Sequence, residues 1–171
     1  MKQMKLTIML LASLLFLLVG CSSNKTTEDH EHIKETHHAH TYVETVDIHE
    51  ETPSKDILPT FLLDKHENIS TIYLAAAKYQ SLLETIPCFC GCGESVGHRD
   101  NYDCFIYENK EDGSIIWDDH GTKCGVCLEI AAEAILMFNE GKSQKEIREY
   151  IDEKYNDGFP EPTQTRLPEE V

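Results

Sequence analysis

Apolar and polar positions divide this chain into segments of sharply different character. Residues 8–19 are an almost unbroken apolar run, and residues 22–65 then show no sustained apolar period at all. From residue 70 the pattern becomes helical: Ile72, Ala75, Ala76, Tyr79, Leu82, Leu83 and Ile86 recur at the spacing of one helix face. Asn68 or Ser70 is expected to cap that helix, and Pro87 to disfavour its continuation. Cys104-Phe-Ile-Tyr-Glu and Ser114-Ile-Ile-Trp-Asp flank a polar turn ending in Asp112-Gly113, which reads as a small hairpin. Two strands alone are marginally stable, so the hairpin must lean on helices.

A second helix is predicted from Lys123 or Cys124 to Asn139, with Cys127, Ile130, Ala131, Ala134, Ile135 and Phe138 as its apolar stripe and Gly141 just beyond its end. Ser143-Gln-Lys-Glu146 is a capping-box pattern opening a third helix to about Tyr155, with Ile147, Tyr150, Ile151 and Tyr155 on the buried side. Pro160, Pro162 and Pro168 make residues 158–171 read as a disordered tail. The expected fold is therefore mainly α: a small three-helix domain over residues 66–157 with a cysteine-rich loop and a short β-hairpin, preceded by a disordered His/acid-rich tether. A core of this size is modest, and a metal or disulfide staple would strengthen it.

The N-terminus carries targeting information. Lys2 and Lys5 precede the apolar run, and Leu18-Val19-Gly20-Cys21 follows it. A basic start, a short apolar core and a small-residue cleavage site form a secretory signal over residues 1–20, too short and wrongly flanked for a spanning helix. The Leu-Val-Gly-Cys ending resembles the lipobox of bacterial lipoproteins. That resemblance implies cleavage before Cys21 and a diacylglycerol on its sulfur, placing the protein on the outer face of the cytoplasmic membrane.

Composition narrows the partners. The chain has 31 Asp and Glu against 15 Lys and Arg, a formal charge of −16. Removing residues 1–20 takes away two lysines and no acid, so the mature chain is more negative still. This excludes nucleic acid and anionic headgroups as electrostatic partners, and leaves membrane attachment to the lipid. Six of the nine histidines lie in the tether of residues 21–65: His30, His32, His37, His38, His40 and His49. A histidine-rich acidic tract binds zinc, copper(II) or nickel weakly and adaptably, and we read the first five as a secondary site of metal capture.

The main chemistry is in the cysteines. Cys88, Cys90 and Cys92 fall in Pro87-Cys-Phe-Cys-Gly-Cys, Cys104 follows, and Cys124 and Cys127 form Cys-Gly-Val-Cys at the expected start of the second helix. Thiolates are soft, strongly donating ligands, and a helix N-terminus favours their ionised form. Six sulfurs exceed the four that one tetrahedral zinc takes, which favours copper(I) and its bridging thiolates, with zinc close behind. His98 and His120 flank the two cysteine groups and are candidates to complete the site.

Three alternatives use the same residues. An even count in an exported domain permits disulfides, although Cys88–Cys90 or Cys90–Cys92 bonds would close strained rings. Cys124-x-x-Cys127 has the local form of a dithiol oxidoreductase site, but the βαβ pattern of a thioredoxin-like domain is absent. The spacing of Cys90, Cys92, Cys124 and Cys127 is similar to that of bacterioferritin-associated ferredoxin domains, which implies a [2Fe–2S] cluster, although the hairpin between the pairs departs from their helical pattern. No serine stands in a nucleophile setting and no glycine-rich phosphate loop is present, so the chain is read as a binding protein and not as an enzyme.

The region from Leu82 to Tyr155 resembles the bacterial lipoprotein family named for a Pro-Cys-Tyr-Cys-Gly-Cys motif. The residues that carry the resemblance are Pro87-Cys-Phe-Cys-Gly-Cys-Gly, Gly97-His98, Asp103-Cys104-Phe105, Trp117-Asp-Asp-His-Gly121 and Cys124-Gly-Val-Cys-Leu-Glu-Ile. Phe89 replaces the family's tyrosine, removing a hydroxyl and no sulfur. The family's function is poorly defined, so the resemblance implies a lipoprotein and a cysteine site without implying an activity. The expectation is an extracytoplasmic, membrane-anchored protein that binds copper or zinc and exchanges it with a metal-handling partner, or else a thiol-disulfide or disulfide-stapled interaction module.

Overall fold

The computed structural model describes residues 47–168. The signal segment, Cys21 and the histidines of residues 30–40 lie outside the described residues. Within them, helices pack against a three-stranded antiparallel sheet, so the mainly-α expectation holds only loosely. Strands β1 (His49–Thr52), β2 (Ile106–Asn109) and β3 (Ile115–Asp118) are ordered β1-β3-β2. The helices are α1 (Glu67–Lys78), α2 (Gln80–Leu83), α3 (Gly93–Val96), α4 (Gly125–Asn139) and α5 (Gln144–Lys154).

The hairpin β2–β3 forms as predicted, with Ile106 opposite Trp117 and a bulge before Glu108. The unexpected partner is β1, which lies in the segment read as tether and pairs His49 with Asp118 and Thr52 with Ile115. Its sequence, His-Glu-Glu-Thr, is polar because it is an edge strand in which only Thr52 is buried. What β1 contributes is backbone pairing, together with a Thr52 hydroxyl that accepts a 2.8 Å hydrogen bond from the Trp117 indole. Glu50 then accepts from the backbone and hydroxyl of Thr60, which sets the turn Thr60–Leu62 and buries Leu62. The fold therefore begins by residue 47 and not at 66.

The first helical stripe is split. Its N-cap is His66, whose ring accepts from the Asn68 N–H, in place of Asn68 or Ser70. At Tyr79 the backbone leaves helical geometry and restarts as α2, yet Leu82, Leu83 and Ile86 still reach the core. Helices α4 and α5 match the expected spans, and the Ser143/Glu146 capping box is present. Phe138 and Tyr150, counted in the buried stripes, are instead 39% and 41% exposed at the stripe edges. The core gathers Tyr73, Phe105, Trp117, Leu83, Ile130 and Ile147. The Tyr73 hydroxyl donates to the Asp118 carbonyl at 2.8 Å, which ties α1 to the end of β3.

Residues 158–168, read as a disordered tail, have no regular secondary structure but run across the cysteine loop. Cys88 N–H donates to Thr163 Oγ1 at 2.9 Å, and Thr163 N–H donates to the Cys88 carbonyl at 3.1 Å. Phe159 packs edge-on against Tyr155, Thr165 Oγ1 donates to the Arg99 carbonyl, and Arg166 pairs with Glu84.

One buried carboxylate gives the fold a pH dependence. Asp100 is 6% exposed, and burial, with help from Asp103, pushes its carboxyl up to about 7. A raised carboxyl pKa contributes stability that is fully present below the unfolded value of about 3.9 and lost as pH rises through about 7. Its Oδ1 caps the N–H groups of Tyr102 and Asp103, which an asparagine oxygen can also do. Asp100→Asn should therefore stabilise the metal-free protein, by a margin that grows between pH 5 and pH 8 to about 2–4 kcal/mol. Denaturant titrations at the two pH values would measure it; equal margins at both would show that Asp100 is not titrating in the fold.

Candidate metal centre

Four chain segments converge at the edge of the core. Gly91, at φ 78°, folds the Pro87-to-Gly93 loop back on itself, so Cys88, Cys90 and Cys92 point into one region. Asn101 anchors the next segment, its N–H donating to the Ile86 carbonyl and its side chain to the Cys127 carbonyl. The turn Tyr102–Cys104 that follows buries Cys104. Strand β3 delivers Asp118, and the turn His120–Lys123 links it to α4, where Cys124 is the N-cap. Gly121 in that turn lies against Phe105 and Tyr73, where a Cβ would stand 2.7 Å from the Phe105 ring.

The six cysteines among the described residues are all free thiols, and the structure brings them together with His98 and His120. Cys88 Sγ lies 3.0 Å from Cys90 Sγ, 3.5 Å from Cys127 Sγ and 3.6 Å from Cys104 Sγ. Cys90 Sγ is 3.4 Å from Cys92 Sγ and 3.9 Å from His120 Nε2. The donors form overlapping sets, each with its ligand atoms within 4.8 Å of one another: Cys88/Cys104/Cys127, Cys90/Cys92/His120, Cys90/Cys124/Cys127 and His98/Cys104/His120. Sulfurs on one tetrahedral ion with bonds of about 2.3 Å stand roughly 3.8 Å apart, so small side-chain movements would serve.

The thiols do not titrate alike. Hydrogen bonds with Cys124 and Cys127, joined by His120, hold Cys90 down at about 4 in spite of its burial. Bonds with Cys127 and Cys88 lower Cys104. Burial and the neighbouring Cys90 push Cys92 up to about 12. Cys127 is raised, chiefly through its bond with Cys104, because its proton serves the surrounding sulfurs. At Cys127 the bonds with Cys104, Cys124, Cys88 and Cys90 act against the acidifying effect of the helix end. A cation among these sulfurs favours ionising more of them at once.

The two imidazoles are each held by a buried carboxylate. His120 Nδ1 lies 3.0 Å from Asp47 Oδ2, which leaves Nε2 facing Cys90. His98 Nε2 lies 3.6 Å from Asp118 Oδ2, and its buried Nδ1 has no hydrogen-bond partner among the described residues. Burial opposes the charged form of both rings, yet Asp118 raises His98, and Cys90 with Asp47 raises His120. Carboxylate–imidazole pairs of this kind orient a metal-binding ring and increase its basicity. An unpartnered buried nitrogen in a ring grouped with Cys104 and His120 suits a ligand. Asp118 also accepts from the His120 N–H at 2.7 Å and from His49 at 2.9 Å, and the His49 ring stacks on Tyr107.

Asp47 and Asp118 are the residues that sequence reasoning missed. Asp118 stood beside His120 in the motif, whereas Asp47 had no local signal. Asp47→Asn should keep the fold and lower metal affinity about 10–100-fold, measured by chelator competition. Unchanged affinity would mean that the Asp47 carboxylate does not support a metal-bound His120.

The fold and this cluster define a small domain of helices and an antiparallel sheet, with a cysteine-rich centre able to hold a metal ion. Residues 9–168 match the family model described as protein of unknown function with PCYCGC motif, and the chain belongs to that family. No curated protein and no solved structure matches it.

Proposed function

We propose that this is a membrane-anchored extracytoplasmic lipoprotein that binds a soft metal, copper(I) or zinc, through Cys88, Cys90, Cys92, Cys104, Cys124 and Cys127 with His98 and His120. The observation that carries the reading is the donor set itself: six interlocked free sulfurs and two carboxylate-oriented imidazoles. Soft thiolates select copper(I) and zinc, and neutral imidazole suits both. The lipid on Cys21 would anchor the chain outside the cytoplasmic membrane, and the histidines at 30–40 would gather metal ahead of the cluster. The role is handling of metal, not catalysis, and a metal-handling protein is the expected partner.

Metal content and free-thiol count on exported protein purified without chelator test this reading. One or more equivalents of copper or zinc, with thiols released only by denaturation and chelation, are expected. Metal-free protein whose cysteines react only after reduction would overturn it in favour of a disulfide-stapled module. The thiol-disulfide reading has one supporting observation, the acidic Cys90 thiol 3.0 Å from Cys88. It requires a mixed disulfide with a substrate protein, trapped on a resolving-cysteine variant. An iron signal would select the [2Fe–2S] alternative on Cys90, Cys92, Cys124 and Cys127.

A further inference from the structure

We infer that the centre holds two copper(I) ions in unequal sites: a retained inner ion on Cys88, Cys104 and Cys127, and an exchangeable outer ion on Cys90, Cys92 and His120 that passes to or from a thiol-bearing partner. The inference rests on the soft-metal reading above and adds to it a division of labour. Exposure of the sulfurs draws the line, His120 being buried at 5% behind the outer pair. Cys88, Cys104 and Cys127 are 1%, 0% and 0% exposed, whereas Cys90 and Cys92 are partly open to solvent. The two triads share no ligand, so both can be filled together.

They are also joined. Cys90, Cys124 and Cys127 form a third set that takes one sulfur from each triad, and Cys88 Sγ lies 3.0 Å from Cys90 Sγ. Bridging thiolates of this kind suit copper(I) more than zinc, which closes its shell with four separate ligands. The inner ligands are held from behind: Cys88 is bonded both ways to Thr163, Asn101 holds the Cys127 carbonyl, and His98 stands beside Cys104 as a further donor. The outer sulfurs share one short loop turned by Gly91, and a second protein can approach them.

Transfer is a ligand exchange. A copper–sulfur bond to the partner forms as the bond to Cys92 breaks, a second forms as the bond to Cys90 breaks, each proton lost by a partner thiol goes to the departing thiolate, and His120 leaves last as neutral imidazole. No electron moves and copper stays copper(I). The chain's charge of −16 favours a partner whose thiol site is rimmed by basic residues.

The test loads full-length protein anaerobically with two equivalents of copper(I) and mixes it with a chromophoric copper(I) chelator in a stopped-flow instrument. Two phases of equal amplitude are expected, the second roughly tenfold slower or more, since differences between related sites lie mostly in dissociation. Cys92→Ser should remove the fast phase and leave the slow one, and Cys104→Ser should do the reverse. Wild-type protein supplies a check that needs no variant: with one equivalent bound a bulky maleimide should still label Cys90 and Cys92, and with two it should not. A single release phase, loss of both phases in Cys92→Ser, or protection of Cys92 by the first equivalent would overturn the division into two sites while leaving soft-metal binding intact. Protein that retains no copper(I) against a weak chelator would overturn the soft-metal reading itself, and this inference with it.

Discussion

Replacing Cys127 by serine is expected to remove most of the bound metal while leaving the far-UV spectrum of the metal-free protein unchanged. Cys127 is 0% exposed, lies in the first turn of α4, and belongs both to the set with Cys88 and Cys104 and to the set with Cys90 and Cys124. No other sulfur on α4 reaches the buried triad. Serine keeps the size of the side chain but offers a hard oxygen that soft ions bind poorly. If four ligands share roughly 10–16 kcal/mol of binding, losing one costs about 3 kcal/mol, on the order of a hundredfold in affinity. Competition titration and metal analysis would read this directly, and the rise in thermal stability on adding metal should shrink in step. Full metal content in Cys127→Ser would sink the assignment of Cys127 as a ligand, and loss of a trapped mixed disulfide in its place would favour thiol exchange.

The parts of this fold that were legible in the sequence are those with a local cause. Helix α5 announces itself through Ser143 and Glu146, which satisfy each other's backbone partners within one turn. The hairpin follows from Asp112-Gly113, where Gly113 takes φ 88°, between two runs rich in β-branched and aromatic residues. Strand β1 has no such cause. Its four polar residues become a strand only because β3 presents an unpaired edge, a tertiary fact with no periodic signature. The same holds for residues 158–168: three prolines make them read as tail, but proline without regular structure is compatible with an ordered extended segment when another part of the chain exchanges hydrogen bonds with it.

The site divides in the same way. Cysteine is rare and six of the seven cluster between residues 88 and 127, so those six and both flanking histidines are legible in the sequence, and the structure brings them together. Carboxylates are common here, with 31 Asp and Glu in the chain, and only the fold selects Asp47 and Asp118 from among them. Asp47 reaches the site because β1 places the residues before it alongside the end of β3, where Ile48 bonds with Asp119. The strand that the hydropathy pattern hides therefore also supplies the hidden carboxylate.

The glycines of the motif lead to the second large effect: Gly91→Ala should destabilise the protein by roughly 2–4 kcal/mol and speed the loss of bound metal. Gly91 has φ 78°, which costs an alanine about 1–2 kcal/mol on its own. An added Cβ would also stand 2.8 Å from Pro160 Cγ, in the segment that crosses the loop. That segment can yield only by lifting, and lifting breaks the two bonds between Cys88 and Thr163, each worth about 1 kcal/mol. Gly97→Ala is the matched control, since Gly97 has φ 80° and nothing within 4 Å of its Cβ position. It should cost the backbone strain alone. Melting both variants with and without metal separates the two contributions: a larger loss in Gly91→Ala assigns the difference to the crossing segment, whereas equal losses would show that residues 158–168 do not restrain the loop. Metal release should follow the same order, because Cys88 reaches the buried triad from a backbone that Thr163 holds on both sides.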